Sequence, residues 1–253
     1  MNSIRKLLSW ITTIPFLIGF ALVLLVFHVF QVISIRIGYH AHNRVISSMI
    51  WWLNNVLLLS GNYIKFTNHA GKLPTDRPMI VISNHQSMYD IPAIGWALKP
   101  YHPKFIAKKS LAKGLPSVSF NIRNGGSIAI DRKDQLAASK AIINLCKYLK
   151  KHNRAGVIFA EGRREKDGNV LPFKKLGLGV MLEKMPNAIV IPVVLENFWY
   201  LEQFKLFPVP LGYQYRCTVL SPLDREKFNN EAIIHEAERV IRVAMKQEKE
   251  VTS

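Results

Sequence analysis

An α/β fold, a sheet flanked by helices with a helical hairpin ahead of it, is what this sequence predicts. Two patterns predict it. From Tyr63 onward, short runs of apolar and β-branched residues alternate with longer segments of helical periodicity. Before that point the chain is uncharged over two long stretches, one from Leu7 to Ile35 and one from Val45 to Ile64. Strands are expected at Tyr63–Thr67, Met79–Ser83, Lys104–Lys108, Ser127–Asp131, Val157–Ala160, Ala188–Leu195 and Tyr215–Leu220. Each is a short apolar or alternating run of strand length. Helices are expected at Met88–Leu98, Gln135–Lys150, Leu176–Met185 and Asn230–Lys249, where apolar residues recur at helical spacing. The basic run Lys150–Arg154 complements the carboxyl end of its helix. Gly125-Gly126 reads as a turn needing positive φ. No internal repeat or low-complexity segment breaks the chain, so we divide it into residues 1–62, a membrane-embedded helical segment, and 63–253, an α/β domain.

In the first stretch, Ile14 to Ile35 is long enough to span a bilayer. It is too long for a signal peptide, and no small-x-small cleavage site follows it cleanly. The second stretch carries Trp51-Trp52, suited to a headgroup interface, and Asn54-Asn55, poorly suited to lipid. Two full spans would put Arg36 and Arg44 on the side opposite a strongly basic domain, against the positive-inside tendency. A helical hairpin held in one leaflet removes the conflict. A single spanning helix is the alternative reading.

The 253 residues are 49% hydrophobic, which excludes a disordered chain. Lys and Arg number 34 against 17 Asp and Glu, a formal charge of +17. Such a surplus calls for a polyanionic partner. The apolar amino-terminal region selects a bilayer, and no zinc-finger spacing or RNP-like aromatic block supports nucleic acid. Cys146 and Cys217 read as reduced residues of a helix and a strand. No four-ligand metal spacing is visible, and we expect neither metal nor cofactor.

The chemistry is concentrated in His85-Gln86-Ser87-Met88-Tyr89-Asp90, directly after the apolar run at Met79–Ser83. A turn at the carboxyl end of a buried strand is where α/β proteins place reacting groups. A histidine can take a proton from a hydroxyl, and a carboxylate can fix its tautomer and stabilise the imidazolium. Residues five apart lie about 140° apart on a helix. The two side chains therefore meet only if His85 sits in the turn or at the first helical position. Read alone, the pair is more readily a surface histidine near a helix start, with Asp90 solvated or capping.

The run Ser83–Asp90 resembles the first motif of the glycerolipid acyltransferases, the lysophosphatidic acid acyltransferase family. Three blocks follow in that family's order. Phe105–Leu111, through Pro116 to Gly126–Arg132, resembles the second. Phe159-Ala160-Glu161-Gly162-Arg163-Arg164, then Leu171–Gly177, is similar to Phe-Pro-Glu-Gly-Thr-Arg and its Phe-Lys-Lys-Gly sequel. Val190–Val194 is similar to the fourth. Departures occur at Ser110, where the family has glutamate, Ala160 (proline), Arg163 (threonine) and Asn197 (glycine), and in the segment Gly114–Asn121. They leave the His85/Asp90 pair intact and bear on substrate choice.

The resemblance implies a mixed sheet flanked by helices and a two-helix membrane element. It implies an O-acyltransferase that moves a fatty acyl group from acyl-CoA or acyl carrier protein to a lysophospholipid hydroxyl, foremost that of 1-acylglycerol 3-phosphate. His85 would be the base and Asp90 its orienter. Lys108, Arg132, Glu161, Gly162 and Arg164 would form the acceptor-phosphate region, with Arg163, Lys174 and Lys175 as further cationic candidates. Pro192 would shape a strand edge or a channel wall. The expected location is a membrane, the inner membrane of a bacterium, with the active site on its cytoplasmic face. The alternatives are an acyltransferase for another lysolipid and a non-catalytic protein that binds anionic lipid.

Overall fold

The apolar run Met79–Ser83 forms strand β2, and all five of its residues are buried. In the computed structural model, which describes residues 3–247, β2 lies at the middle of a seven-stranded sheet. The other strands are β1 (Tyr63–Asn68), β3 (Lys104–Lys108), β4 (Ile128–Ile130), β5 (Ala155–Phe159), β6 (Ile189–Glu196) and β7 (Gln214–Val219). Their order is β1-β7-β6-β2-β5-β3-β4. All neighbours run parallel except β6 and β7, so the sheet is mixed.

Successive β2 side chains point to opposite faces, and each face has its own core. Ile80 and Ile82 pack with α5 (Gln135–His152), α6 (Lys175–Lys184) and α7 (Asn230–Ala244) through Leu145, Met181 and Ile233. Met79 and Val81 pack with α3 (Asp90–Ala97) through Ile94, and with Phe16, Val56 and Leu57 from the amino-terminal region. A sheet with helices on both faces explains why its central strand tolerates no polar side. Cys146 and Cys217 are free and buried, one in each core.

The structure moves several expected boundaries. α3 begins at Asp90 rather than Met88, and β4 has three residues rather than five. A seven-residue helix, α4 (Val118–Asn124), occupies part of the segment without an expected element. α7 ends at Ala244, and positions 248–249 of its expected extension lie outside the described residues. Gly126 does have positive φ, +88°, and a Cβ there would lie 2.6 Å from the Tyr148 hydroxyl. Pro192 is not at a sheet edge. It lies inside β6, paired with Ile82, and its carbonyl accepts from Leu220 N–H just beyond the end of β7.

The amino-terminal hairpin is α1 (Ser3–Ile37) and α2 (Tyr39–Val56), joined by Gly38 alone at φ +135°. Among the described residues α1 is the one helix long and apolar enough to cross a membrane. The second uncharged stretch is not a continuous helix. It becomes a 3-10 turn at Leu57–Ser60 and then β1. α1 has inverted amphipathicity. Ser9, Thr13, Gln31 and Ser34 are buried, while Leu7, Ile11, Ile18, Leu22, Val29 and Ile33 are exposed. The polar residues serve as docking points. Thr13 Oγ1 accepts from Val209 N–H at 2.8 Å, and Ser9 Oγ from Leu211 N–H at 3.1 Å. Phe16 and Phe20 lie 6.0 and 5.8 Å from the Tyr89 ring.

Because Phe16, Val56 and Leu57 belong to the same core as the sheet, the hairpin is part of the domain's packing. Deleting residues 1–62 would bare Tyr89, which packs against Phe16 and Phe20. A lowered melting temperature and aggregation are expected, rather than the more soluble fragment that the sequence division alone implies. Thermal denaturation and size-exclusion chromatography of the truncated chain check this. A monodisperse fragment with unchanged melting temperature would refute the shared core.

One side chain ties the end of β2 to β6. Asn84 Nδ2 donates to Leu195 O at 2.8 Å, and Asn84 Oδ1 accepts from Leu195 N–H at 2.9 Å. The amide thus extends the β2–β6 ladder past Ser83 and holds the chain leading into the turn. Asn84→Ala strands a buried donor and acceptor, at a cost of about 1–3 kcal/mol. Chemical denaturation should show that loss without a change in m-value.

Candidate active site

After Asn84 the chain turns, and Asp90 is the first residue of α3. His85 sits in the turn, as the five-residue spacing requires. His85 Nδ1 lies 2.8 Å from Asp90 Oδ2. The same oxygen accepts from Gln86 N–H at 2.6 Å and Ser87 N–H at 3.0 Å. The turn is wrapped around one carboxylate oxygen. Asp90 is wholly buried, and burial raises its pKa against the opposing pull of His85 and the two amides. A carboxylate at Nδ1 places the proton there and leaves Nε2 as the lone pair. The imidazole stacks on Phe159, centroids 4.0 Å apart and planes 14° apart, with 13% of its side chain exposed. Orientation is therefore fixed by a carboxylate on one edge and a phenyl ring on one face.

Glu161 supports the turn from below. It is 1% exposed, and its Oε1 accepts from His85 N–H at 3.2 Å. Burial chiefly pushes its pKa up to about 8, and the charges of Asp90 and Glu165 add to that. The structure thus places Glu161 under His85 and not on the open rim. Gly162 turns the chain at φ +72°, and a Cβ there would meet the Lys174 side chain at 2.9 Å. Arg132 donates to the Gly162 carbonyl, so the second and third blocks meet. Partial desolvation first and Arg164 second lower the Arg132 pKa. Lys108 is exposed at the end of β3, and Arg163 is exposed. Lys175 is drawn away to Glu231 on α7. Arg164 Nη1 contacts both oxygens of Glu202 at 2.6 Å.

Three participants lay outside the sequence reading. Phe159 was read as part of a strand and as the first residue of the third block, but its stacking role has no spacing signal. Glu202 closes a 3-10 turn, Phe198–Glu202, beyond the last motif. The third is a cavity of about 200 Å³ between the hairpin and the α3/β3 face. Phe20, Leu53, Ile91, Phe105 and Leu111 line it, and it reaches Met88 of the turn. Lys104, at the start of β3, also lines it. Lys104 is 6% exposed, its Nζ is 5.2 Å from the Tyr39 ring centroid, and burial brings its pKa down to about 7.

The Glu161 arrangement fixes a pH dependence. The folded chain holds this proton up to about pH 8, whereas the ordinary value is 4.5. Its contribution to stability is complete below the ordinary value and is lost as pH rises through the folded one. Glu161→Gln keeps an oxygen for His85 N–H and carries no charge. Melting curves should coincide near pH 4.5, and the variant should become progressively the more stable up to pH 8. A pH-independent difference would show that the carboxyl is not held protonated.

The geometry can be set beside known proteins. The Acyltransferase family model matches residues 64–196. A 1-acyl-sn-glycerol-3-phosphate acyltransferase of Cocos nucifera is 29% identical over 196 residues, covering 76% of this chain and 58% of the relative. One of Helicobacter pylori is 40% identical over 134 residues, covering 50% of this chain and 52% of the relative. The chain thus spans between about half and three-fifths of these relatives' lengths. The crystal structure of the 1-acyl-sn-glycerophosphate (LPA) acyltransferase PlsC from Thermotoga maritima superposes with a TM-score of 0.73. It covers 98% of this chain and 99% of its own at 21% identity, a likeness of fold. With the family model matched across the turn, the Glu161–Arg164 block and β6, this chain belongs to the Acyltransferase family.

Proposed function

We propose that this chain is a membrane-bound O-acyltransferase that moves a fatty acyl group from a thioester to the free hydroxyl of 1-acylglycerol 3-phosphate, forming phosphatidic acid. The observation that carries the reading is the braced His85–Asp90 pair beside an apolar cavity. The thioester is acyl-CoA or acyl-(acyl carrier protein). The matched relatives' name supplies the acceptor.

In this mechanism His85 Nε2 takes the acceptor's hydroxyl proton as the oxygen attacks the thioester carbonyl carbon. Asp90 stabilises the resulting imidazolium. The tetrahedral intermediate collapses, the C–S bond breaks, and the departing thiolate takes the proton from His85. No acyl-enzyme is needed, because the thioester is already activated. The protein's own nucleophiles are poorly placed for one. The Ser87 hydroxyl donates to Glu202 at 3.3 Å, and burial pushes the Cys146 thiol up to about 11 and the Cys217 thiol higher still. The cavity suits a fatty chain, whose burial there is favoured by about 0.8 kcal/mol per methylene. Arg164, with Arg132 and Lys108 nearby in the fold, suits the acceptor's phosphate.

The outward apolar face of α1 suits lipid. Near its start, Trp10 meets Phe207 edge-on at 4.7 Å, and Phe204 is exposed beyond. These rings belong at a headgroup interface. The hairpin packs along the cavity, so a leaflet that holds α1 would bring lipid substrates alongside the turn. We place the active site on the cytoplasmic face of a bacterial inner membrane, the side favoured by the basic surface.

The test is lipid analysis after incubating purified full-length protein with labelled acyl thioesters and a panel of lysolipids. Phosphatidic acid should dominate, and His85→Ala should lower turnover by about 10²–10⁴ while leaving membrane binding intact. Asp90→Asn should be impaired through the wrong tautomer. Retained turnover in His85→Ala removes the mechanism. Preferred transfer to a different lysolipid removes the acceptor.

A further inference from the structure

Three donors near the reacting histidine converge on one carboxylate of the chain itself. Glu202 Oε1 accepts from Met88 N–H at 2.8 Å, from the Ser87 hydroxyl at 3.3 Å, and from Arg164 at 2.6 Å. A second 2.6 Å contact runs from Arg164 to Oε2. A backbone N–H, a hydroxyl and a guanidinium gathered in this way also make a set that grips phosphate oxygens. Two of the three belong to the turn that carries His85, and the third is the arginine assigned above to the acceptor.

We infer that Glu202 stands in for the acceptor's phosphate, so that acceptor capture is an exchange of one anion for another at Arg164, Ser87 and Met88. This rests on the reading of Arg164 as the phosphate ligand. Met88 N–H and the Ser87 hydroxyl then join Arg164 as phosphate donors.

The surroundings suit an exchange. Arg164 and Glu202 have side chains 46% and 25% exposed, so water and a headgroup both reach the pair. An ion pair so exposed is weak and yields readily. A phosphate monoester offers three terminal oxygens and up to two charges against the carboxylate's two oxygens and one charge. Glu202 sits on a firm base, since Phe198 and Leu201 of the same 3-10 turn are fully buried. Its side chain can swing out while the backbone stays. Arg132 and Arg164 also repel, the second cause after burial of the lowered Arg132 pKa, and a resident carboxylate relieves that repulsion until the acceptor arrives. Weakly binding anions, such as the phosphodiesters of the surrounding bilayer, would be held off by the same competitor.

The test is steady-state kinetics on full-length protein in mixed micelles, with 1-acylglycerol 3-phosphate and with the phosphate-free monoacylglycerol. Glu202→Gln keeps an oxygen for Met88 N–H and Ser87 and releases Arg164. It should lower KM for the phosphate-bearing acceptor roughly two- to fivefold, the worth of an exposed ion pair. It should leave KM for monoacylglycerol unchanged and strengthen inhibition by inorganic phosphate by a similar factor. Glu202→Asp, with the charge drawn back by one methylene, should move KM in the same direction by less. In the Arg164→Ala background the gain should shrink, because the competition at Arg164 is gone and only that at Met88 N–H and the Ser87 hydroxyl remains. If Arg164→Ala weakens both acceptors alike, the assignment of Arg164 fails, and the inference fails with it. If Arg164→Ala is phosphate-specific but both Glu202 variants leave KM unchanged or raised, the exchange alone is overturned. A gain undiminished without Arg164 overturns it as well.

Discussion

Everything at the site depends on one buried oxygen, Asp90 Oδ2, and the donors it collects from His85, Gln86 and Ser87. A carboxylate buried without partners would cost several kcal/mol or take up a proton. Here the chain supplies the partners by folding the turn around it. The imidazole is thus one of the groups that make Asp90 tolerable, and its orientation follows from the same geometry. The turn is then fastened from outside. Asn84 locks its start to β6, Glu161 receives the His85 amide, and the His85 carbonyl accepts from Glu165 N–H at 2.8 Å. Phe159 at the end of β5 supplies a face for the ring. The adjacent parallel strands β2 and β5 therefore end in complementary parts of one device.

The hairpin solves a related problem in reverse. A helix packed on a soluble domain turns its apolar stripe inward. α1 turns serine, threonine and glutamine inward and leucine and isoleucine outward. Its inward Ser9 and Thr13 answer backbone donors in the Val209–Leu211 segment, so the docking is made by hydrogen bonds as well as by Phe16. Such a helix gains nothing by leaving the domain for water, and its outer face favours lipid. The same packing closes one wall of the cavity, with Phe20, Leu24 and Leu53 facing α3 and β3.

The legible part of this protein was the part written in periods and local spacing. The strands of the sheet and the four expected helices follow from runs of apolar residues whose burial the structure shares between two cores. The His85–Asp90 contact was legible because a five-residue offset meets only across a turn. Strand order was not legible, since nothing local says that β7 pairs antiparallel with β6 while every other neighbour is parallel. α4 was missed because seven residues give no measurable periodicity. The placement of Glu161 was obscured because sequence shows that a glutamate follows a strand but not which way its carboxyl turns. Glu202 lies 38 residues from Arg164 and outside every motif, so only the folded chain brings them together. The cavity is likewise a property of the gap between elements and has no sequence signature.

Three carboxyl groups brace the turn that carries His85, and their environments differ. Asp90 is buried and met by three donors, so its charge has compensation close at hand. Glu161 is equally buried but has Asp90 and Glu165 as neighbours, and with a pKa of about 8 it is chiefly protonated at neutral pH. Two buried negative charges on one turn would repel, and holding a proton on Glu161 avoids that cost. Glu202 is partly exposed, charged and paired to a guanidinium that solvent also reaches. The first is suited to orient the imidazole, the second to support the turn without adding charge, and the third to pair with Arg164 within reach of solvent. The division follows from burial and from the donors within reach, since nothing in the side chains themselves distinguishes the two glutamates.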